Sequence, residues 1–135
     1  MNLSRRKSRV LVVQALYSQE FNQQDMGSIM DFPWYEYQGE DRDDRLLFAR
    51  LLLHGIVEHL ENSDAEIKAL LEHWEFGRLN KVDLAIMRLG AFELLHTTDT
   101  PRQIAINEAI EIAKEFGSQQ TYKIINGVLD AIHGK

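Results

Sequence analysis

Cysteine is absent from the 135-residue chain, which removes disulfides, thiolate nucleophiles and cysteine-ligated zinc from the chemistry open to it. Such usage fits a reducing compartment. Proline is nearly as scarce. Pro33 and Pro101 are the only two, and both fall where an apolar pattern breaks. No run alternates β-branched with polar residues, so strands leave no signature. No apolar run approaches the roughly 18 residues of a membrane span, because Arg50 already interrupts the richest stretch, Leu46 to Leu53. The basic N-terminus leads into an apolar stretch ended by Gln14, too short for the apolar region of a signal peptide. These absences predict a soluble, cytoplasmic chain. With 44% hydrophobic and 27% charged residues, it is globular rather than disordered, and its length suits one domain over residues 1–135.

Basic charge is also in short supply, 15 residues against 21 acids for a net charge of −6. Taken alone, that balance argues against a nucleic-acid partner. Its distribution reverses the inference. Arg5, Arg6, Lys7 and Arg9 all precede the first acid, Glu20, so the remaining chain carries 11 bases against 21 acids. Acid is densest between Glu20 and Arg45. A chain with one basic end on an acidic body can hold an anion at that end while the rest repels it.

What is present reads as helices, and the fold class is all-α, with about six helices. Val10, Val13, Leu16, Tyr17 and Phe21 recur at helical spacing and predict a helix over about 4–22. Residues 23–41 hold Gly27, Pro33 and Gly39 and read as a loop with at most a short turn. Its aromatics Phe32, Trp34, Tyr35 and Tyr37 are expected to fold back on the body. A second helix starts near Asp43 and Asp44 and runs to about Leu60 through Leu47, Phe48, Leu51, Leu52 and Ile56. Gly55 inside it costs about 1 kcal/mol against alanine and suggests close helix approach. Ser63 to Glu66 has the form of a capping box opening a third helix that ends at Gly77. Asn80 is placed to cap a fourth helix, apolar at almost every angle between Val82 and Leu95 and therefore central. Thr100 and Pro101 open a fifth segment, with Asn107 as a rival cap. It packs Ile106, Ala109, Ile110, Ala113 and Phe116 inward and stops at Gly117. Ser118 caps the last helix.

Catalytic patterns are thin. Glu93 and His96 match the Glu-x-x-His spacing of di-iron bundles, but such a site needs a second copy and further inward carboxylates. A buried Glu93, hydrogen-bonded to backbone or to Asn107, is the simpler expectation. His54 and Glu58 make an ordinary i, i+4 surface pair. Glycine nowhere clusters into a phosphate loop, and nothing demands an enzyme, a cofactor or a metal.

Four blocks carry a family resemblance. Arg5-Arg6-Lys7-Ser8-Arg9 followed by Gln14-Ala15-Leu16-Tyr17 is similar to the opening of the NusB family, an arginine-rich turn running into a "QALY" helix. Val82 to Leu89, continuing through Phe92-Glu93-Leu94, resembles that family's central helix. Pro101, Ile104 to Lys114 and Phe116-Gly117 resemble the run "P..VAINEAIELAK.FG". Lys123 to Asp130 resembles "KFVNGVLD". The blocks come in family order and span nearly the whole chain.

The resemblance implies two small helical bundles packed across each other. It also implies a transcription antitermination factor that binds boxA-type single-stranded RNA together with NusE, a small-subunit ribosomal protein, and helps RNA polymerase pass terminators. Carried over residue by residue, RNA contact falls to Arg5, Arg6, Lys7 and Arg9. Tyr17, Asp83, Gln120, Lys123 and Ile124 line the same surface. Ile124 stands where relatives often have Phe, and an aliphatic side chain offers no π face. Tyr17 also fits a core position, and Arg88 fits an ion pair with Asp83 or Glu93. Glu93, Asn107 and Gly127 are expected to be structural, Gly127 through helix packing. A stand-alone NusB-like RNA-binding module with another RNA target is the alternative implied by the same blocks. An enzyme built on Glu93 and His96 is the competing class.

Overall fold

The computed structural model describes residues 3–22, 26–71, 79–117 and 121–132. Among them are eight α-helices and no strand: α1 (Arg5–Asn22), α2 (Met26–Ile29), α3 (Arg42–Arg45), α4 (Leu47–Glu58), α5 (Leu60–Leu70), α6 (Lys81–His96), α7 (Arg102–Phe116) and α8 (Thr121–Ala131). The two one-turn helices, α2 and α3, are additions to the six expected. No helix among the described residues is long and apolar enough to cross a membrane.

α6 organises the rest because every residue from Asp83 to Leu94 is buried. Asn80 caps it, its side chain accepting from the Val82 amide at 2.8 Å. α1 and α4 pack on each other and on α6; α7 and α8 do the same from their side, and α5 joins α4, α6 and α8. This is the pair of small bundles, sharing α6 as a common member. Two glycines set the closest approaches. A Cβ on Gly55 would lie 2.3 Å from the Phe92 ring, and one on Gly90 would lie 2.7 Å from Leu129. At these two points α4 and α8 approach α6 so closely that an added Cβ would displace the Phe92 ring or the Leu129 methyls.

Several boundaries differ from the sequence-based ones. Ser63 does not open a helix. α5 begins at Leu60, with only His59 between it and the end of α4, and Ser63 is buried inside it, its hydroxyl without a hydrogen-bond partner among the described residues. On α4, Leu47 and Leu51 face solvent while Ala49, Leu52, Leu53 and Ile56 turn inward. α7 runs unbroken from Arg102, so Asn107 lies in mid-helix, exposed, its side chain accepting from Gln103 at 2.9 Å. Arg102 instead reaches the carbonyls of Asp130 and Ile132 at 2.6 Å each and so closes the C-terminal end of α8. Around Gly127 a Cβ would meet nothing within 4 Å among the described residues, so this glycine does not set a close approach to any of the helices described. The expected stop at Gly77 and cap at Ser118 lie outside the described residues.

The acid-rich segment is tied down by two arginines. Arg42 donates to the carbonyls of Asp31, Phe32 and Tyr37. Arg50 bridges Met30 O, Asp31 and Asp43. Phe32, at a φ of 49°, drives its ring fully into the core, and Trp34, still 36% exposed, packs edge-on against it and donates to Gln14 of α1.

Candidate nucleic-acid interface

The basic turn is built by the first turn of α1. Ser4 caps it, its hydroxyl accepting from the Lys7 amide at 3.1 Å. Successive helical residues point about 100° apart, so four cations in five positions cannot share one environment. Arg5, Arg6 and Lys7 are exposed, whereas Ser8 and Arg9 are buried.

Arg5 lies flat over the Phe48 ring of α4, 3.8 Å from its centroid, a contact that fixes the guanidinium without neutralising it. Arg6 reaches Glu108 of α7 through Nη2 at 2.5 Å, yet its side chain remains 53% exposed. The hydrogen bond and the charge of Glu108 raise its pKa further. Lys7 projects from the same turn.

Arg9 departs from expectation. Proposed from the sequence as an RNA contact, it is instead a buried ion-pair member. Its Nε and Nη2 donate to the two carboxylate oxygens of Glu93 at 2.7 and 2.9 Å, and Nη1 lies 3.6 Å from Glu108. Burial disfavours its charge, but the hydrogen bond and attraction of Glu93 outweigh that, and the pKa is raised. Glu93 is buried as its apolar surroundings require, but its partner is neither backbone nor Asn107. Arg88 makes a second such site. It donates to both oxygens of Asp64 at 2.9 Å and to Glu20 at 2.7 Å, rather than to Asp83 or Glu93.

The remaining candidates are scattered in exposure. Tyr17 is 40% exposed and not a core residue. Lys123 is exposed and Ile124 half-buried on α8. Gln120 lies outside the described residues. Asp83, expected on the RNA-facing surface, is only 3% exposed. Burial pushes its pKa up, opposed by a hydrogen bond from Thr121, and its Oδ1 has no partner among the described residues.

An acid whose folded-state pKa is raised binds its proton more tightly when folded, so stability falls as pH rises through its titration. Asp83→Asn should therefore be more stable than wild type at neutral pH, by about 1–2 kcal/mol. The gap should close as pH drops and wild-type Asp83 takes up its proton. Thermal melts across that range check this; a variant that melts lower than wild type at neutral pH refutes it.

Glu93 and His96 do not form a metal-ligand pair. The carboxylate is held by Arg9, and the imidazole Nε2 bonds Asn62 at 2.9 Å while its ring stacks on His59. Among the described residues no three His, Cys, Asp or Glu side chains converge as a metal ion needs. What the surface offers is one helix end presenting three cations, two of them positioned by an aromatic ring and a carboxylate.

Phe116 was missed as a surface residue. It is 44% exposed at the end of α7, although its spacing with Ile112 and Ala113 suggests the core.

The NusB family model matches residues 6–134. A transcription antitermination protein NusB from Treponema pallidum is 40% identical over 130 residues, covering 96% of this chain and 92% of its own length. The solved structure of T. maritima NusB aligns at 36% identity with a TM-score of 0.81, over 96% of this chain and 90% of that one. A crystal structure of antitermination factors NusB and NusE in complex with double-stranded RNA aligns with a TM-score of 0.78, over 94% of this chain and 93% of that one. At 23% identity, the last likeness concerns the fold alone.

Proposed function

Because the chain belongs to the NusB family, we propose that it is a transcription antitermination factor acting in the bacterial cytoplasm. It binds the boxA element of nascent ribosomal leader RNA together with NusE and helps RNA polymerase read through terminators. The observation that carries this reading is the exposed trio Arg5, Arg6 and Lys7 on a chain otherwise rich in acid. Positive charge at a helix N-terminus opposes the helix dipole, so this clustering works against folding and is accounted for by a bound anion.

In this reading Arg5, Arg6 and Lys7 meet phosphates, and Tyr17, Lys123 and Ile124 flank the strand. Arg9 acts beneath the surface, fixing α1 against α6 so that the other three are presented together. Asp83 shapes the junction with α8 rather than touching RNA. The role of Gln120 is carried over from the family resemblance alone. The chemistry is recognition, and no residue is assigned a catalytic role.

Three cations on an acidic body bind RNA weakly, because most of the surface repels phosphate. A basic partner that extends the patch raises affinity without a new contact from this chain. The test is titration of boxA-type RNA with and without NusE. Binding should be clearly tighter with NusE present, and equal affinity in the two titrations would overturn the reading.

A further inference from the structure

His59 is the single residue between α4 and α5. Its backbone leaves helical geometry, at a φ of −105° and a ψ of 17°, yet hydrogen bonds run across it. The His59 amide donates to Gly55 O, and the Ser63 amide donates to His59 O, at 3.0 Å each. The two helices therefore meet at a one-residue joint rather than a loop.

That joint is fastened to the end of α6. The ring of His59 stacks on the ring of His96, the last residue of α6, with centroids 4.0 Å apart and planes 15° from parallel. Phe92, one turn earlier on α6, closes against both rings, 6.0 Å from His59 and 5.8 Å from His96. His96 also bonds the side-chain oxygen of Asn62 in α5 through Nε2, at 2.9 Å. α5 buries only Ser63 and Ile67, so such ties carry much of its placement. The next tie, Asp64 with Arg88, comes further along the helix.

The charge state of the two rings decides whether the stack attracts. The Asn62 oxygen can only accept, so His96 carries its proton on Nε2, and a second at Nδ1 makes the ring a cation. A neutral ring stacks well against a neutral or a charged one. Two charged rings in that arrangement repel. Burial, and then the charge of His59, lower the His96 pKa. Other titratable groups nearby in sequence do not relieve this repulsion among the described residues. On α4, His54 and Glu58 are exposed and face each other at 3.8 Å. On α5, Glu61 is exposed, and on α6, Glu93 is held by Arg9.

We propose that the stacked histidines are an acid-sensitive latch, which fastens the α4–α5 joint to the end of α6 while at least one ring is neutral and releases the start of α5 once both are protonated. None of these residues belongs to the basic turn, so the inference stands apart from the RNA reading. The sign follows from linkage. An imidazole whose folded-state pKa is lowered takes up its proton less readily when folded. Its contribution to stability is full above the ordinary imidazole pKa and is lost as the pH falls through that value toward the lowered one.

The test melts the full chain, wild type beside His59→Phe and His96→Phe, at about pH 7.5 and about pH 5.5, on either side of the ordinary imidazole pKa. Each replacement keeps a stacking ring and removes one of the two protonation sites. Both positions are half-buried, so the variants should fold, which the melt at higher pH checks. Between the two conditions wild type should lose about 3–6 °C more than either variant. His54, His73, His133 and the carboxylates are common to all three proteins, so the difference isolates the pair. In wild type, the exchange protection of the Ser63 amide should fall about tenfold over the same range.

A wild-type loss matched by either variant overturns the latch. A larger wild-type loss with Ser63 protection unchanged places the lost stability elsewhere and overturns the release of α5. Titration of the rings by NMR in wild type alone decides the matter if a variant does not fold. The pair should then take up protons in two separated steps, and independent titration of the two rings overturns the proposal.

Discussion

Glu93→Ala should lower stability by about 3–5 kcal/mol, a fall on the order of 10–20 °C in melting temperature for a chain this size. The side chains of Arg9 and Glu93 are 4% and 2% exposed. Removing the carboxylate leaves a guanidinium in the core with only Glu108, 3.6 Å away, as a partial substitute. The penalty is that of an uncompensated buried charge, and it exceeds what the intact pair contributes over an apolar pair. Two further variants separate these effects. Arg9→Ala should be nearly as damaging, since it strands Glu93 in the same way. The double replacement Arg9→Met with Glu93→Leu should recover most of the lost stability, because neither charge then remains to be solvated. A Glu93→Ala protein that melts with wild type would remove the ion pair from any account of this core. A double variant no better than either single one would show that the pair itself, and not the stranded charge, carries the stability.

That ion pair also shows where sequence reading succeeds and where it stops. α6 was legible because apolar residues at nearly every angle leave no face for solvent, and Glu93 within it had to be buried and bonded. Its partner lies 84 positions away on another helix, and no local spacing encodes that. One signal was available on the α1 side. Arg9, Val12, Val13 and Leu16 follow i, i+3, i+4, i+7 and are all buried. The same periodicity that makes the helix therefore turns Arg9 inward and separates it from its basic neighbours. Treating the four cations as one patch overlooked that rotation.

The other departures have similarly local causes. Ser63 to Glu66 has the composition of a capping box, but α5 is already hydrogen-bonded when it arrives, the Ser63 amide donating to His59 O. The apolar positions of α4 exceed what its partners can cover, so Leu47 and Leu51 emerge on the outer face. Phe116 keeps core spacing with Ile112 and Ala113, but it is the last residue of α7, with Gly117 ending the helix behind it, and its ring lines an open groove instead. Tertiary neighbours, and not periodicity, decide which apolar positions at the end of a helix become surface.

The binding counterpart is a triple replacement, Arg5→Gln with Arg6→Gln and Lys7→Gln. If each cation meets one phosphate of single-stranded RNA, each contributes about −0.7 to the slope of log affinity against log salt. Losing three should flatten that slope by about two units and weaken binding roughly 10- to 100-fold near 0.15 M salt. Folding should survive. The lost Arg6–Glu108 contact sits at the surface, where solvent screens it, and the Arg5–Phe48 stacking is likewise a surface contact. Three fewer charges at the positive end of the α1 dipole act in the opposite direction. The Ser4 cap and the apolar face from Val10 onward are untouched. Arg9 must stay out of the set, because replacing it strands Glu93 and turns a binding measurement into a stability measurement. With Arg9 intact, a triple variant that melts close to wild type yet binds boxA-type RNA with unchanged affinity and unchanged salt slope would show that the basic turn is not the phosphate site. Adding Arg9→Gln to that triple should then cost binding only in proportion to the protein it unfolds, since its guanidinium already faces Glu93 in the core and not the strand outside.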